Sequence, residues 1–324
     1  MTRPLWILLF VLATIPAATE PALAQVFPDR PVRIIVGYPP GGGTDLVARL
    51  VQQPLSQRWG QPVVIDNRPG ANAIIAAEAV AKAKPDGYTL LMAYATEMAV
   101  NPVTVKKLTY DPVRDFTPIM QLAGAPLVLA VHPELAAKDV RELVALAKAK
   151  PGTLSYSSSG SGSVHHFAGE LFKLQTGVSI VHVPYKGSGP ATADAMAGHV
   201  QVTYASVASV LRFVQAGRLR ALAVTSKNRS PQMPEVPSMV EAGLADFELT
   251  SWYGLLAPAG TPSTIVAKIH ADLEAVLASA EIRKSFATQG LDMAGGTPQA
   301  FAALIRDEAA KFARIAKAGN IAAE

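Results

Sequence analysis

The chain has 324 residues, half of them hydrophobic, with 29 Lys and Arg against 25 Asp and Glu and a formal net charge of +4. That length and apolar content exclude a disordered chain and favour two domains over one. The scattered basic excess and sparse aromatics argue against nucleic-acid binding, and the absence of cysteine removes disulfides, thiolate metal sites and cysteine-linked lipid.

At the amino terminus one basic residue, Arg3, precedes an apolar run over 5–18, and Ala22 and Ala24 flank Leu23. This is the pattern of a secretory signal peptide over 1–24, cleaved after Ala24. The run is shorter than the ~20 residues a membrane span needs, and proline interrupts it. The mature protein is therefore expected free in an extracytoplasmic space, a bacterial periplasm.

From Arg33 onwards short apolar runs alternate with amphipathic segments, which predicts an α/β fold built on a mainly parallel sheet. Strands are predicted over 32–36, 63–66, 89–93, 127–131, 154–156, 180–183, 200–204 and 219–224. Helices are predicted between them, over 44–58, 73–83, 139–150, 164–175, 190–197 and 206–216. Pro54 falls inside the first of these and is expected to kink it or end it early. The proline-rich stretch 229–237 reads as an ordered surface loop. Beyond it Pro262 opens a helix over 263–277, and Phe301, Leu304, Ile305, Phe312 and Ile315 share one face of another, placed to pack on a core.

Three loops combine a strand end, glycines and a helix start. Unpartnered backbone N–H groups and the positive end of the helix dipole make such a place receptive to oxyanions. The first is Tyr38-Pro39-Pro40-Gly41-Gly42-Gly43-Thr44-Asp45. The second, Ser157-Ser158-Ser159-Gly160-Ser161-Gly162-Ser163, adds hydroxyl donors and leads into a helix carrying His166. The third, Tyr185-Lys186-Gly187-Ser188-Gly189-Pro190, places a proline suited to a first helical turn. Nucleotide motifs are not met: no lysine follows the glycines, and Leu46 and His165 stand where a dinucleotide fingerprint needs glycine or alanine.

Asp45 either caps the helix or meets a ligand amine, hydroxyl or water, and both roles are compatible. His166 is either a ligand contact or a satisfied structural histidine. His165 and His166 point about 100° apart on a helix and make poor joint metal ligands, so no metal is expected. The serine cluster lacks a Gly-x-Ser-x-Gly elbow, which leaves a serine-dependent hydrolase as the alternative function.

Taken in order, several segments resemble the periplasmic solute receptors of tripartite tricarboxylate transporters, the Bug family. They include Phe27-Pro28-Asp29-Arg30-Pro31-Val32-Arg33, Gly41-Gly42-Gly43-Thr44-Asp45, Asn67-Arg68-Pro69-Gly70-Ala71 and Pro85-Asp86-Gly87-Tyr88-Thr89-Leu90. They continue with Asp115-Phe116-Thr117-Pro118-Ile119, Val183-Pro184-Tyr185-Lys186-Gly187 and Ala257-Pro258-Ala259-Gly260-Thr261-Pro262. The resemblance implies a non-enzymatic, type II-like two-lobed clamshell, with lobe 1 over 27–124 plus 250–324 and lobe 2 over 125–249. Each lobe would carry a mixed, mainly parallel sheet flanked by helices, with the ligand between.

The implied ligand is a small carboxylate: a dicarboxylate, tricarboxylate, acidic amino acid or aromatic acid. Its contacts would come from the first two loops, with Thr96 forming a wall and Ala205 and Ser206 shaping the distal half. Tyr38, the Pro39-Pro40 pair and Ala205 depart from the common family pattern. No cofactor is implied, a monomer is expected, and the partner is either a membrane permease or a signalling sensor.

Overall fold

In the computed structural model, which describes residues 27–319 and 321, two sheets share one long strand. The expected signal peptide lies outside these residues. In the first sheet β1 (Val32–Val36) lies between β2 (Val63–Asn67) and β3 (Thr89–Tyr94), all parallel. All of β1 except Arg33 is buried, as befits a parallel strand covered on both faces.

The helix α1 (Gly43–Trp59) follows β1, and α2 (Ile74–Ala81) follows β2 through a 3₁₀ turn at Ala71–Ala73. After β3 a π turn, Thr96–Val100, runs into the short α3 (Asn101–Thr104). The expectation for Pro54 is corrected in part, because α1 continues past it to Trp59 and is closed by Gly60 in the left-handed conformation. Leu55 and Trp59 are buried beyond the proline, and the Trp59 indole N–H donates to Asp272 at 2.7 Å. That anchorage holds the second half of the helix although Pro54 brings no N–H of its own.

The strand β4 (Phe116–Val131) has 16 residues and two sets of partners. Its first part, from Phe116 to Pro126, pairs antiparallel with β9 (Thr250–Pro258). Its last five residues, Leu127 to Val131, pair antiparallel with β7 (Val202–Ser206), and Val128 to Val131 also pair with β8 (Arg220–Val224). The predicted strand over 127–131 is therefore only the end of a much longer one.

The second sheet is completed by β5 (Ser155–Ser158) and β6 (Val181–Pro184), parallel to each other, with β5 parallel to β7. Around it run α4 (Val140–Ala149), α5 (Val164–Thr176), α6 (Ser188–Met196) and α7 (Val207–Gln215). The carboxy-terminal part adds α8 (Ser263–Leu277), α9 (Ala280–Thr288), the short β10 (Asp292–Met293) on β4, and α10 (Pro298–Ala318).

The two sheets have the same plan, β2-β1-β3-β9-β4 in one and β6-β5-β7-β4-β8 in the other. The strands β1 and β5 are therefore equivalent, and so are the loops that leave their carboxyl ends. In open α/β sheets that is where ligands bind. Phe301, Ile305, Phe312 and Ile315 of α10 are buried as their spacing predicts, and Leu304 is half-buried.

Candidate functional site

The loop from β1 to α1 is held by Asp45. Its carboxylate accepts from the Gly41 amide at 2.9 Å and Arg49 Nε at 2.8 Å on one oxygen, and from Asn67 Nδ2 at 2.9 Å on the other. Asn67 also donates to the Tyr38 carbonyl. Burial works to raise the Asp45 pKa, but the bonds from Arg49, Gly41 and Asn67 outweigh it and hold the carboxyl below its usual range. Of the two roles open for Asp45, the structure shows the local one: a charged clamp that shapes the loop and is neutralised by Arg49.

Gly42 is the N-cap, with extended backbone, and its amide reaches back to the Pro39 carbonyl. Among the described residues the amides of Gly43, Thr44 and Asp45 have no acceptor, as expected for a first helical turn without a side-chain cap. Gly43 is packed so closely that a Cβ there would lie 2.2 Å from the Tyr253 hydroxyl. Gly41 has φ +86°, the region that favours glycine.

Behind the loop stands an aromatic wall. Tyr253 stacks on Tyr94, and Tyr38 meets Tyr94 edge-on. The Tyr38 hydroxyl donates to Glu97 at 2.8 Å, and the Tyr94 amide donates to the other Glu97 oxygen at 2.8 Å. Glu97 has no solvent exposure, and burial pushes its carboxyl up to about 8. Burial thus favours its neutral form, which weakens the repulsion of an anion by this wall. Thr96 is buried beside it at the start of the π turn, a local irregularity often found at functional sites.

The loop from β5 to α5 is knitted differently. Ser163 caps α5, its hydroxyl accepting from the His166 amide and donating to the Gly160 carbonyl at 2.7 Å. The Gly160 amide donates to the Ser158 hydroxyl, and the Gly162 amide to His166 Nδ1 at 3.2 Å. His166 stacks on His182 with ring centroids 3.9 Å apart, and His182 stacks on Tyr156. Burial lowers the pKa of both histidines, that of His182 to about 4. His166 thus fastens the loop from behind.

Ser157 is fully buried in β5 and bonded to the Ala191 carbonyl and Thr203, away from the loop. Ser159 instead reaches His165 Nδ1 at 2.7 Å, and His165 Nε2 is buried without a partner. The amides of Val164 and His165 also lack acceptors among the described residues. Across the sheets, a Cβ at Gly162 would come within 3.4 to 3.6 Å of the Thr104 side chain on α3, so the second loop meets the end of the π turn segment.

Lys186 is exposed on the third loop, Ala205 is buried at the end of β7, and the Ser206 hydroxyl donates to that of Ser209. Tyr94, Glu97, Thr104, Tyr253 and His165 were not selected as site residues from the sequence. Of the π-turn segment only Thr96 is expected from the sequence, as a wall, and nothing in the local pattern distinguishes His165 from His166. No group of acidic or histidine side chains among the described residues is placed to hold a metal ion.

Two cavities of about 540 and 620 Å³ lie elsewhere, both bordered by Lys227 and Glu248 next to the chain crossing between the sheets. None of the predicted site residues lines them. Their position marks them as grooves on the crossing side, whereas the unpartnered donors gather at the strand ends.

The fold and the paired loops define a two-lobed solute-binding protein of the periplasmic type. The residue pattern of the tripartite tricarboxylate transporter family receptor matches residues 47–321, and the chain belongs to this family. It is 36% identical to the protein BugT of Bordetella pertussis over 318 residues, 98% of this chain and 97% of that one. Among solved structures it is similar to R. palustris Rpa4515 with adipate, at 37% identity and TM-score 0.86, covering 92% of this chain and 100% of that one. It is also similar to MatC from Rhodopseudomonas palustris with bound malate, at 31% identity and TM-score 0.80, covering 89% and 99%. These are receptors, not enzymes, and the hydrolase alternative is set aside.

Proposed function

We propose that this chain is a periplasmic receptor that holds a small carboxylate between two lobes and delivers it to a permease of the tripartite tricarboxylate type. The lobes are assigned to 27–124 plus 250–324 and to 125–249, on either side of the crossings in β4 and before β9. The observation that carries this reading is the pair of equivalent loops, one per sheet, each presenting first-turn amides without acceptors. Adipate and malate in the two solved relatives support the ligand class.

The mechanism follows from the donors. A carboxylate set against Gly43 and Thr44 satisfies amides that otherwise lack an acceptor, and its charge on the helix dipole adds to the attraction. Donors from the second loop are within its reach only when the lobes approach. The ligand therefore favours the closed arrangement by contacts that the open one lacks.

The test is a thermal-shift screen of the mature chain from Gln25 against carboxylates, with phosphate and sugar controls. A ligand at a hundred times its Kd adds about 2.7 kcal/mol of stability, which is readily seen. Gly42→Val sharpens the test, because position 42 has ordinary extended backbone and a Cβ there meets nothing nearer than the Pro39 carbonyl at 3.6 Å. The variant should fold normally and lose carboxylate binding through a blocked approach to the amides. Unchanged affinity would remove this loop from the site.

A further inference from the structure

Among the described residues the only ones other than glycine with a positive φ are consecutive: Ala71 at +48°, Asn72 at +51° and Ala73 at +67°. An alanine in this left-handed region brings its Cβ against the following carbonyl, so such a run persists only where the surroundings hold it. These residues form the 3₁₀ turn that leads from β2 to α2.

On one side the turn is held by a buried amide. The Asn72 carbonyl accepts from Asn101 Nδ2 at 2.9 Å, and Asn101, the first residue of α3, has no solvent exposure. The same nitrogen reaches the Tyr110 hydroxyl at 3.3 Å, and that hydroxyl donates to the Glu97 carbonyl at 2.6 Å. Asn101 Oδ1 is buried without a partner, so only the donor end of this side chain is used. The Glu97 carboxyl in turn binds Tyr38 and the Tyr94 amide, which ties the turn and the first loop into one buried polar chain.

On its other side the turn presses on the first loop directly. Ala73 is 1% exposed, and a Cβ at Gly37 would lie 2.9 Å from the Ala73 Cα and closer still to its methyl carbon. The Ala73 methyl thus fills the space that a side chain at 37 would take. Gly37 stands between the end of β1 and Tyr38, so its position sets where the loop leaves the sheet.

We infer that this left-handed turn is a positioning element for the first loop. Asn101 pins the turn, and Ala73 sets Gly37 and with it the first-turn amides of α1, without any of the three touching a ligand. The bearing of the turn on affinity rests on the carboxylate reading above.

The test moves one methyl group in the mature chain. Ala73→Gly removes it, and a positive φ suits glycine, so the variant should fold. Gly37→Ala adds a methyl to filled space, and the double variant carries it across the contact. Hydrogen exchange of the ligand-free chain reads the loop through the bonded amides of Gly41, Gly42 and Leu46, with the bonded amides of Tyr185 and Gly187 beside the second sheet as controls. Each single variant should speed exchange of the first three by about tenfold and leave the controls at parent rates. The double variant should exchange more slowly than Gly37→Ala, because the two changes compensate at one contact. Asn101→Leu should loosen the same three amides. In calorimetric titration with adipate and malate, Ala73→Gly should hold whichever acid the parent binds about fivefold more weakly, or worse.

Parent exchange rates at Gly41, Gly42 and Leu46 in Ala73→Gly would overturn the inference. So would a double variant that exchanges faster than either single one, or an acceleration equal beside both sheets, which is a loss of global stability alone. Faster exchange with unchanged affinity would also overturn it, since the loop would then bind without being set by the turn. In each of these cases carboxylate binding by the parent survives. A parent that binds no carboxylate in the thermal-shift screen would remove the carboxylate reading instead, and the exchange rates would still decide whether the turn sets the loop.

Discussion

Burial of the Glu97 carboxyl behind Tyr38 and Tyr94 makes one protonation state a property of the whole first loop. With its pKa raised from 4.5 to about 8, native Glu97 keeps a proton that the unfolded chain releases above pH 4.5. The native state therefore loses stability as pH rises from about 4.5 to 8, at up to roughly 1.4 kcal/mol per pH unit from this group. His165 acts in the opposite direction. Its pKa falls from 6.5 to about 4, so stability is lost as pH falls through that interval. Glu97→Gln keeps the shape and an oxygen that accepts from the Tyr94 amide, while removing the titration. Its denaturation free energy should be flatter than the parent's between pH 6.5 and 8, above the range where His165 titrates, and should fall with acid more steeply than the parent's below pH 6.5. Parallel curves for parent and variant over that range would show that Glu97 is ionised in the native state.

At the scale of elements, α1 carries a cost that can be measured. Pro54 supplies no N–H to the helix ladder, yet Leu55 and Trp59 bury the turn that follows it. Proline in a helix interior costs about 3 kcal/mol relative to alanine, less where the chain has adjusted. Pro54→Ala should therefore stabilise the protein by roughly 1 to 3 kcal/mol in chemical denaturation, without altering ligand affinity. A loss of stability would show that proline is required there.

The same helix shows what the sequence could reveal. Its start at the glycines, its apolar stripe and the strand before it were all legible, as was α5 with Ser163 before it, because caps and periodicity are local signals. The first part of β4 was not, since Pro118, Gly124 and Pro126 punctuate it and only its pairing with β9 makes it a strand. The apolar run in β9 was legible in principle, but its place between β3 and β4 depends on contacts far along the chain. In the site, the loops were legible and the orientation of their side chains was not. Ser157 and Ser159 are two apart, yet one is used inside the second sheet and the other by His165. His166 was chosen over His165, and which of two adjacent helical residues keeps a free nitrogen is decided by Gly162, Glu170 and His182, from different parts of the fold.

For the whole molecule, the decisive feature is how the chain passes between its two sheets. Thr225, at the end of β8, is fully buried where the passages come together. Its hydroxyl accepts from the Leu127 amide at 3.0 Å and donates to the Leu249 carbonyl at 2.7 Å. One hydroxyl thus ties the middle of β4 to the segment entering β9, and backbone bonds from Thr225 to Leu127 and from Leu249 to Thr225 run alongside. On another side α10 spans both sheets, packing on the π turn, α3 and β4 and setting Phe312 edge-on to Phe167 of α5. Thr225→Val keeps the volume and removes the tie, leaving the Leu127 amide without its side-chain acceptor. It should cost roughly 1 to 3 kcal/mol in denaturation. If the tie also sets the relative orientation of the lobes, the variant's ligand-induced shift in small-angle scattering should differ from the parent's. Lower stability with an identical scattering change would confine Thr225 to holding the crossing together, and leave the closing motion to the backbone of β4 and to the segment before β9.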